Sequence, residues 1–406
     1  MRKLVALTLK KQAKRMLRKH KVKVVVVTGS VGKTSTTQAV ATVLSENFNV
    51  RKTLHNYNTD IGVPCSVFGR TFPVSVKNIF GWAWIIASNE VSILRRQDYN
   101  LLVLELGTDT PGEIKEFSWL NPDIAIVTAV APEHMEYFKT IDAVAEEELS
   151  VAAFADKTIV NKSMVASKYL KFAKSDELFN YHRTDISHLG LDASDLQVVG
   201  EHSIDSVAAA IAVGRELGMN KRSLISGAKK IVAQNGRMNV LEGVDGSTLI
   251  DDTYNSSPEA VTAALDYVYE SKYDQKIVLL GNMNELGESS AELHKKVGDY
   301  CRHDEIDLVV ALGADSVSYT AASAKEKGCA VAIAENPYEA AGIIKRQLDR
   351  NKKSVVLLKG SQNGVFAEEA TKLLLRNPDD VEFLVRQDKS WIKKKKLSFK
   401  RDVSQL

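Results

Sequence analysis

A lysine and two hydroxyl side chains stand directly after a glycine turn near the start of the chain. Four valines at positions 24–27 precede the turn Thr28-Gly29-Ser30-Val31-Gly32, and Lys33-Thr34-Ser35 then open an amphipathic stretch. The β-branched run predicts a buried strand, so the order is strand, glycine loop and helix. Backbone N–H groups of such a loop and the helix N-terminus hold anionic phosphates. The motif therefore predicts a site for ATP or GTP, with Lys33 on the outer phosphates and the Thr34 hydroxyl on Mg²⁺.

The loop is a shortened variant of the usual phosphate-binding pattern. A glycine is expected five residues before Gly32, where this chain has Val27. A glycine turn with an unrelated lysine is the plain alternative, and the flanking strand and helix argue against it. The predicted nucleotide-binding residues of the loop are Gly29, Ser30, Val31, Gly32, Lys33, Thr34 and Ser35.

Length and composition bound the class of protein. A chain of 406 residues predicts two or three domains, and 44% hydrophobic with 26% charged residues is typical of a globular protein. A net charge of +3 gives no reason to expect a nucleic-acid partner. Three cysteines without metal-like spacing favour a reduced, cytoplasmic setting.

Apolar runs alternate with helical patterns along most of the chain, which predicts an α/β fold with mainly parallel sheets. We expect a phosphate-loop ATPase domain at residues 23–235 and a C-terminal Rossmann-like α/β domain at 236–390. A basic amphipathic helix (1–22) precedes them, and a solvated basic tail (391–406) follows. The predicted strands are 24–27, 101–104, 124–127, 158–160, 248–250, 277–280, 308–312 and 355–358.

Two amphipathic or apolar segments have an open interpretation. Leu9, Ala13, Met16 and Leu17 share one face of the N-terminal helix, which predicts packing on the first domain with a solvated basic side. A membrane-surface helix, with weak association, is the alternative. Residues 79–87 form the most apolar run, too short to span a bilayer, and predict either a buried helix or an exposed docking surface.

Titratable side chains follow three predicted elements of the first domain. Glu105 ends one apolar strand and His134 lies beyond another, where ligands bind in open α/β sheets. On the next helix, Glu148 falls on the apolar stripe whereas Glu146 and Glu147 point away from it. An unpaired buried carboxylate is costly, so Glu148 should meet a cation, and a metal near the phosphates is the candidate.

Three polar, glycine-bearing loops follow strands of the second domain. They span residues 251–258, 281–288 and 359–364. Because the carboxyl ends of parallel strands share one edge of a sheet, these loops predict one binding edge.

Together these motifs resemble the Mur ligase family of ATP-dependent ligases, and within it the type that adds D-alanyl-D-alanine to a muramyl tripeptide. The likeness runs from about residue 24 to about residue 368. It rests on the glycine loop, residues 56–64, Glu105 with Pro111-Gly112-Glu113-Ile114, residues 128–134, Gly236-Arg237-Met238, and the three loops of the second domain.

The resemblance implies a role for each matching residue. It implies ATP and two Mg²⁺ ions, with Lys33, Glu105, His134 and Glu148 as catalytic residues and small molecules as substrates. The implied metal-side residues are Thr34, Glu105, His134 and Glu148. The implied nucleotide contacts of the second domain are Arg237, Asp252, Tyr254 and Asn255, and the implied substrate contacts are Asn56, Asn58, Thr59 and Lys359.

Departures from the family pattern accompany the likeness. Glu148 stands where the family usually has a carbamate-modified lysine, so a glutamate would supply that negative charge directly. Asp205, Asn282 and Gln362 replace an expected asparagine, aspartate and arginine. Only about twenty residues precede the loop, so the family's N-terminal UDP-binding domain is expected to be missing.

The predicted activity is an ADP-forming amide ligation through an acyl phosphate, in cell-wall peptidoglycan precursor synthesis, by a protein for which a monomer is favoured. One alternative is a Mur-like ligase acting on a lipid-linked or cofactor carboxylate. The other is an ATP-binding module that has lost its chemistry. Closure of the second domain about residues 235–236 is expected to align the reactants.

Overall fold

The structure, a computed structural model, describes residues 2–53, 57–71, 78–175, 177–362 and 364–399 of the chain. Its contacts divide the chain into two compact units. The first unit runs to Gln197 and resumes at His202–Val232; the second consists of Val198–Glu201 and the chain from Ala233 onward. Each unit is built on its own six-stranded sheet.

The sheet of the first unit is parallel throughout, in the order β2-β3-β1-β4-β5-β6. Apart from the exposed Lys23 at the start of β1, its central strands β1, β3 and β4 are buried, as expected for a parallel sheet covered by helices on both faces. The strands are β1 (Lys23–Thr28), β2 (Val50–Lys52), β3 (Leu101–Glu105), β4 (Ile124–Val127), β5 (Lys157–Asn161) and β6 (Leu178–Tyr181). Its helices are α1 (Arg2–His20), α2 (Lys33–Leu44), α3 (Gly62–Phe68), α4 (Ile79–Leu94), α5 (Glu113–Glu116), α6 (Met135–Phe138), α7 (Ile141–Leu149), α8 (Glu201–Glu216) and α9 (Lys221–Lys229).

The sheet of the second unit has the order β11-β10-β9-β12-β8-β7, and β7 alone among these strands is antiparallel to its neighbour. The strands are β7 (Asn239–Glu242), β8 (Thr248–Asp252), β9 (Gln275–Gly281), β10 (Leu308–Leu312), β11 (Val331–Ala334) and β12 (Ser354–Lys359). The helices are α10 (Pro258–Glu270), α11 (Ser290–Tyr300), α12 (Ala322–Glu326), α13 (Pro337–Gln347), α14 (Glu368–Leu374) and α15 (Lys389–Phe399). The predicted α/β fold class with mainly parallel sheets is confirmed.

The basic N-terminal helix α1 packs on the first unit, as its apolar stripe predicts. Leu9, Ala13, Met16 and Leu17 are buried, and Leu9 shares a core cluster with Trp82 of α4. The apolar run 79–87 forms the first half of α4, with Trp82 and Ile85 buried and other members exposed. Among the described residues, no helix has both the length and the apolar content that crossing a bilayer requires.

All three cysteines are buried as free thiols. Cys65 lies in α3 of the first unit, and Cys301 and Cys329 lie in the second unit. Burial raises the pKa of both Cys65 and Cys301 to about 12. These thiols are therefore small core residues in this structure.

The expectation that the lysine-rich tail is solvated is wrong for Lys395. This side chain is 1% exposed, and its Nζ lies 2.9 Å from Glu368 Oε1 and 2.6 Å from Glu369 Oε1. The ring of Phe399 lies 5.6 Å from the rings of Phe366 and Tyr338. The α15 helix therefore docks on the second unit, because Lys395 supplies a cation to buried Glu369, whereas Glu368 is also paired with Arg386.

Replacing Lys395 tests this docking. Lys395→Ala leaves Glu369 without its buried cation, so we expect a loss of roughly 3–5 kcal/mol in the free energy of unfolding, measured by urea denaturation followed by circular dichroism. Lys393→Ala removes an exposed lysine of the same helix and should stay within about 0.5 kcal/mol of wild type. Equal effects of the two substitutions would show that the tail is not docked through Lys395.

Candidate functional site

The glycine loop joins β1 to α2, as predicted. Gly29 and Gly32 have φ of +124° and +84°, and Gly32 caps the N-terminus of α2, so the amide groups of the first turn lack helical partners. A Cβ on Gly29 would lie 2.3 Å from Thr128 Oγ1 and 2.8 Å from the Ala129 nitrogen. Thr34 and Ser35 lie in the first turn of α2. The loop therefore offers backbone donors and a helix N-terminus to an anion.

The segment after β4 holds the loop in this conformation. Ser30 donates its N–H to the Ala129 carbonyl at 3.0 Å and accepts the Ala131 N–H on Oγ at 3.0 Å. The hydroxyl of Thr128 donates to the Val31 carbonyl at 2.6 Å. These bonds hold the loop to the segment after β4 through Ser30 and Val31.

Lys33 is the cation at the centre of the loop. Its Nζ lies 3.3 Å from Glu133 Oε2 and donates to the Gly29 carbonyl. Burial by itself lowers the pKa of Lys33, but the charges of Glu133, Glu148 and Glu105 outweigh it, and the net result is a raised pKa. The side chain therefore stays charged at neutral pH with three carboxylates around it.

Glu148 is buried beside this lysine, on the apolar stripe where the sequence places it. Its Oε2 accepts the Gly29 N–H at 2.7 Å and the Thr28 hydroxyl. Burial raises the pKa of Glu148 well above its usual value; Lys33 opposes this rise and Glu133 adds to it. Lys33 is therefore one cation near Glu148, and the predicted metal beside Glu148 stays a prediction.

Glu105 and Asn58, two further predicted site residues, lie together at the carboxyl end of β3. Asn58 Nδ2 donates to Glu105 Oε1 at 3.1 Å, and the Glu105 N–H donates to Thr53 Oγ1 at 2.7 Å. Thr59 Oγ1 instead accepts the Gly62 N–H at 3.3 Å at the start of α3. Asn56 lies outside the described residues. Asn58 is therefore coupled to the loop site through Glu105, and Thr59 serves a helix end.

His134 lies beyond β4 but faces a different carboxylate from the ones around Lys33. Its Nε2 lies 3.5 Å from Asp109 Oδ1, and its backbone has φ of +46°. The neighbouring Glu133 makes the contact with Lys33, and sequence reasoning missed this residue. Its position directly before His134, beyond a strand end, was the available signal.

The expectation that Glu147 points away from the buried side of its helix is wrong. It is buried, and its carboxylate accepts the Gly112 N–H and the Ile114 N–H, each at 2.7 Å. The segment that follows β3 covers this face of α7 and needs an acceptor for its amide groups. Glu147 is therefore tied to the loop after Glu105.

A small cavity opens beside the loop in the first unit. Its lining includes Gly32, Thr36, Asn161, Tyr181 and Asp205. The Asp205 carboxylate, which departs from the family pattern, is paired with the guanidinium of Arg183 at 3.2 and 3.3 Å. The arginine therefore compensates the charge that the departure introduces.

In the second unit the three predicted loops meet at one edge of the sheet. Ser361 donates its N–H to the Asn282 carbonyl at 3.0 Å and its hydroxyl to the Ser256 carbonyl at 3.2 Å. Asn282, the second departure, accepts the Ser316 N–H on Oδ1 at 2.9 Å. The expected common edge is confirmed, because β8, β12 and β9 are neighbours in the sheet.

The predicted site residues of the second unit are brought together beside this edge. Lys359 Nζ lies 2.5 Å from Asp252 Oδ2 and donates to the Asn255 carbonyl at 3.1 Å. The Arg237 guanidinium lies 4.2 Å from the Tyr254 ring centroid. Lys359 is 1% exposed, so within this unit it is an ion-pair partner of Asp252 rather than an open contact.

The fold and the loop site define a class of two-unit α/β proteins with a phosphate-binding loop on the first parallel sheet. The Mur ligase middle domain family matches residues 27–70 and 87–181, and the Mur ligase, glutamate ligase domain family matches residues 236–362. Together these matches cover about two thirds of the chain, one in each unit. The chain therefore belongs to the Mur ligase family.

Curated relatives and solved structures agree with this assignment. The UDP-N-acetylmuramoyl-tripeptide–D-alanyl-D-alanine ligase of Bacillus subtilis is 26% identical over 75% of this chain and 66% of its own length. The enzyme of the same name from Haemophilus influenzae is 27% identical over 86% of this chain and 76% of its own length. The chain thus spans about two thirds to three quarters of these relatives.

Two solved structures share the fold. The structure of MurF from Acinetobacter baumannii matches with a TM-score of 0.72 and 21% identity, covering 90% of this chain and 79% of that one. MurF ligase from Thermotoga maritima in complex with ADP matches with a TM-score of 0.68 and 21% identity, covering 93% and 84%.

Asp251, next to Asp252, makes the stability of the second unit depend on pH. Burial raises its pKa to about 7, although Thr253 Oγ1 donates to Oδ1 at 2.6 Å. In the unfolded chain this carboxyl loses its proton near pH 4. The folded state therefore binds more protons between about pH 4 and 7, and its stability falls as the pH rises through that window.

Asp251→Asn should remove this part of the pH dependence. We expect the difference in unfolding free energy between wild type and variant to shift by roughly 1 kcal/mol per pH unit across the window, in favour of the variant at the higher pH. Urea denaturation at pH 5, 6 and 7 measures it. Glu270→Gln, an exposed carboxyl of the same unit, should keep the wild-type pH dependence. Parallel pH profiles for wild type and Asp251→Asn would contradict the assignment.

Proposed function

We propose that the chain is an ATP-dependent, ADP-forming ligase that joins D-alanyl-D-alanine to the carboxylate of a muramyl peptide. The matching families cover both units, and the named relatives are ligases of this kind. The observation that carries the proposal is Lys33, held at the mouth of the glycine loop among Glu105, Glu133 and Glu148. A charged lysine at a helix N-terminus is suited to the outer phosphates of a nucleotide.

The donor set around Lys33 fits Mg²⁺. Glu133 Oε1 and Glu148 Oε1 are buried and have no hydrogen-bond partner within the part of the chain that the structure describes. In that same part, no three His, Cys, Asp or Glu side chains form a ready metal cluster. One or two carboxylates completed by phosphate oxygens are the usual setting of Mg²⁺. Thr34, Glu105 and Glu148 would hold the ion, which neutralises phosphate charge; a second ion at His134 stays a prediction.

The residues of this chain would position charge rather than form bonds with the substrate. In the proposed reaction an acceptor carboxylate attacks the γ-phosphorus, the bond to the β-phosphate oxygen breaks, and ADP leaves. The amine nitrogen then attacks the acyl carbonyl, phosphate leaves, and the amine gives up a proton. Lys33 and the loop N–H groups would stabilise the negative charge that develops on the transferred group.

The second unit would present the remaining reactants. Its edge carries Arg237 stacked on Tyr254, which supports the expected nucleotide contacts there. Lys359 is held by Asp252, so its role as a substrate contact stays a prediction. Gly236 has φ of +69°, a backbone conformation that suits a turn. Domain closure about residues 235–236 stays part of the proposal.

Product analysis tests the activity. Purified chain, ATP, Mg²⁺, D-alanyl-D-alanine and a UDP-muramyl tripeptide should yield one ADP for each amide product, detected by mass spectrometry. A panel of other carboxylates, including lipid-linked ones, in place of the tripeptide separates this substrate from the alternative acceptors. Release of AMP, or ATP binding without turnover on any carboxylate, would contradict the proposal.

Substitution of Glu148 tests the loop site. Glu148→Gln keeps the shape but removes the negative charge, so turnover should fall by about a hundredfold or more while the affinity for ATP changes little. Glu146→Gln, an exposed neighbour on α7, is the matched control and should retain wild-type turnover. Added bicarbonate should not alter wild-type activity, since a glutamate needs no carbamate. A bicarbonate requirement would show that the anion at this site is misassigned.

A further inference from the structure

The first unit carries exposed apolar side chains at the N-terminal ends of α1 and α4. Leu4 and Leu7 of α1 are 69% and 49% exposed, and Ile79, Phe80 and Trp84 of α4 are 60%, 89% and 64% exposed. We call these five residues the α1–α4 surface. Large apolar side chains gathered in this way indicate an interaction site rather than scattered exposure.

The first half of the α4 helix is apolar on both faces. Residues 79–89 contain no charged side chain, and Trp82, Ile85 and Ile93 pack inward. The outer stripe consists of Phe80, Ala83, Trp84, Ala87, Val91 and Leu94, at helical spacing. A helix that is apolar all round is typical of full burial or of contact with lipid, and here one face is open.

Contacts between α1 and α4 place their apolar ends side by side. Gln12 Nε2 donates to the Ile86 carbonyl at 2.9 Å, and the His20 ring lies 3.0 Å from the Ile93 carbonyl. Later residues of α1 thus meet later residues of α4, so the two helices run parallel. Their N-terminal ends, with the five exposed residues, lie at the same end of the pair.

Positive charge adjoins this apolar end. The α1 helix contains eight lysines and arginines and no acidic residue, and two of the eight, Arg2 and Arg15, are paired with Asp60 and Glu90. Lys3 and Lys11 are exposed close to Leu4 and Leu7 along the helix. The Arg70 guanidinium lies 5.3 Å from the Trp84 ring centroid. The exposed Arg95 and Arg96 lie at the opposite end of α4. Exposed apolar side chains and lysines therefore adjoin each other on this surface.

All five residues of this surface lie outside the region that matches the family. The middle-domain match covers residues 27–70 and 87–181, so α1 and the first half of α4 are unmatched. The exposed apolar residues are therefore not explained by the shared nucleotide chemistry.

We propose that the α1–α4 surface binds the face of an anionic lipid bilayer. Phe80, Trp84 and Leu4 would enter the boundary between head groups and acyl chains, and the lysines of α1 would meet the lipid phosphates. Neither helix crosses the membrane; both lie at its surface. A second copy of the chain is a poor occupant, because the lysines of two α1 helices would face each other. An acidic protein is the other candidate, and failure of the chain to bind anionic vesicles would favour it.

Vesicle co-sedimentation with the purified chain tests this proposal. Vesicles of phosphatidylcholine with about one third phosphatidylglycerol should bind the chain at least about tenfold more tightly than phosphatidylcholine alone, and high salt should weaken binding. Phe80→Ser with Trp84→Ser should reduce binding to the anionic vesicles at least about tenfold. Lys3→Glu with Lys11→Glu should do the same by reversing charge.

Controls separate the surface from folding and from other occupants. Ile333→Ser replaces an apolar residue that is 56% exposed in the second unit and should bind vesicles like wild type. The thermal unfolding midpoint of the Phe80/Trp84 variant should match that of wild type, since both side chains are exposed. Equal binding to both vesicle types, or binding unchanged in the Phe80/Trp84 variant, would overturn the proposal. So would a dimer in light scattering that this variant abolishes.

Discussion

A partly buried lysine surrounded by carboxyl groups sets the character of the first unit. Lys33 is one cation facing Glu105, Glu133 and Glu148, and burial raises the pKa of Glu148 well above its usual value. Negative charge crowded into a desolvated site is expensive. The loop donors next to it invite further negative charge in the form of phosphate. Both facts support the proposal that a divalent cation enters with the nucleotide.

The second unit also buries charged side chains, and there they form an ion pair. Lys359 and Asp252 are register partners on adjacent parallel strands, and their ion pair is buried at the strand ends. The carboxylate also accepts the Met238 N–H at 3.2 Å, which connects the pair to the turn containing Arg237. Parallel strands put their carboxyl ends at one edge, so both units concentrate charged groups there. In the first unit, Lys33 and its carboxyl groups remain available to a ligand. In the second unit, Lys359 and Asp252 neutralise each other.

The central strands of each sheet could be predicted from the sequence, whereas the edge strands could not. All eight predicted strands occur in the structure, whereas the four missed strands, β2, β6, β7 and β11, are the two edges of each sheet. Central strands are buried on both faces and appear as continuous apolar runs. Edge strands are partly solvated, and β2, β6 and β7 carry mixed residues, as in the Asn-Val-Leu-Glu sequence of β7. The fourth, β11, is the apolar sequence Val-Ala-Ile-Ala, but it is only four residues long and mostly not buried.

Site residues divide in a similar way. Lys33 and Glu148 were predictable, because a local motif or a helical stripe displays them along the chain. Glu147, Arg183 and Lys395 were not, since their partners are contributed by distant segments: the Gly112 amide, Asp205, and the carboxylates of α14. Periodicity reports which face is covered only when the covering element is known. When the partner of a buried charged residue is remote in the sequence, no local sequence pattern predicts the burial.

The distribution of the three thiols gives each unit its own chemical reporter. Cys65 lies in the core of the first unit, and Cys301 and Cys329 lie in that of the second. A thiol that is sealed from solvent reacts with an alkylating reagent only when the surrounding structure opens. The labelling rates of Cys65 and of the other pair therefore follow the opening of the two units separately, in the native sequence and without any added probe.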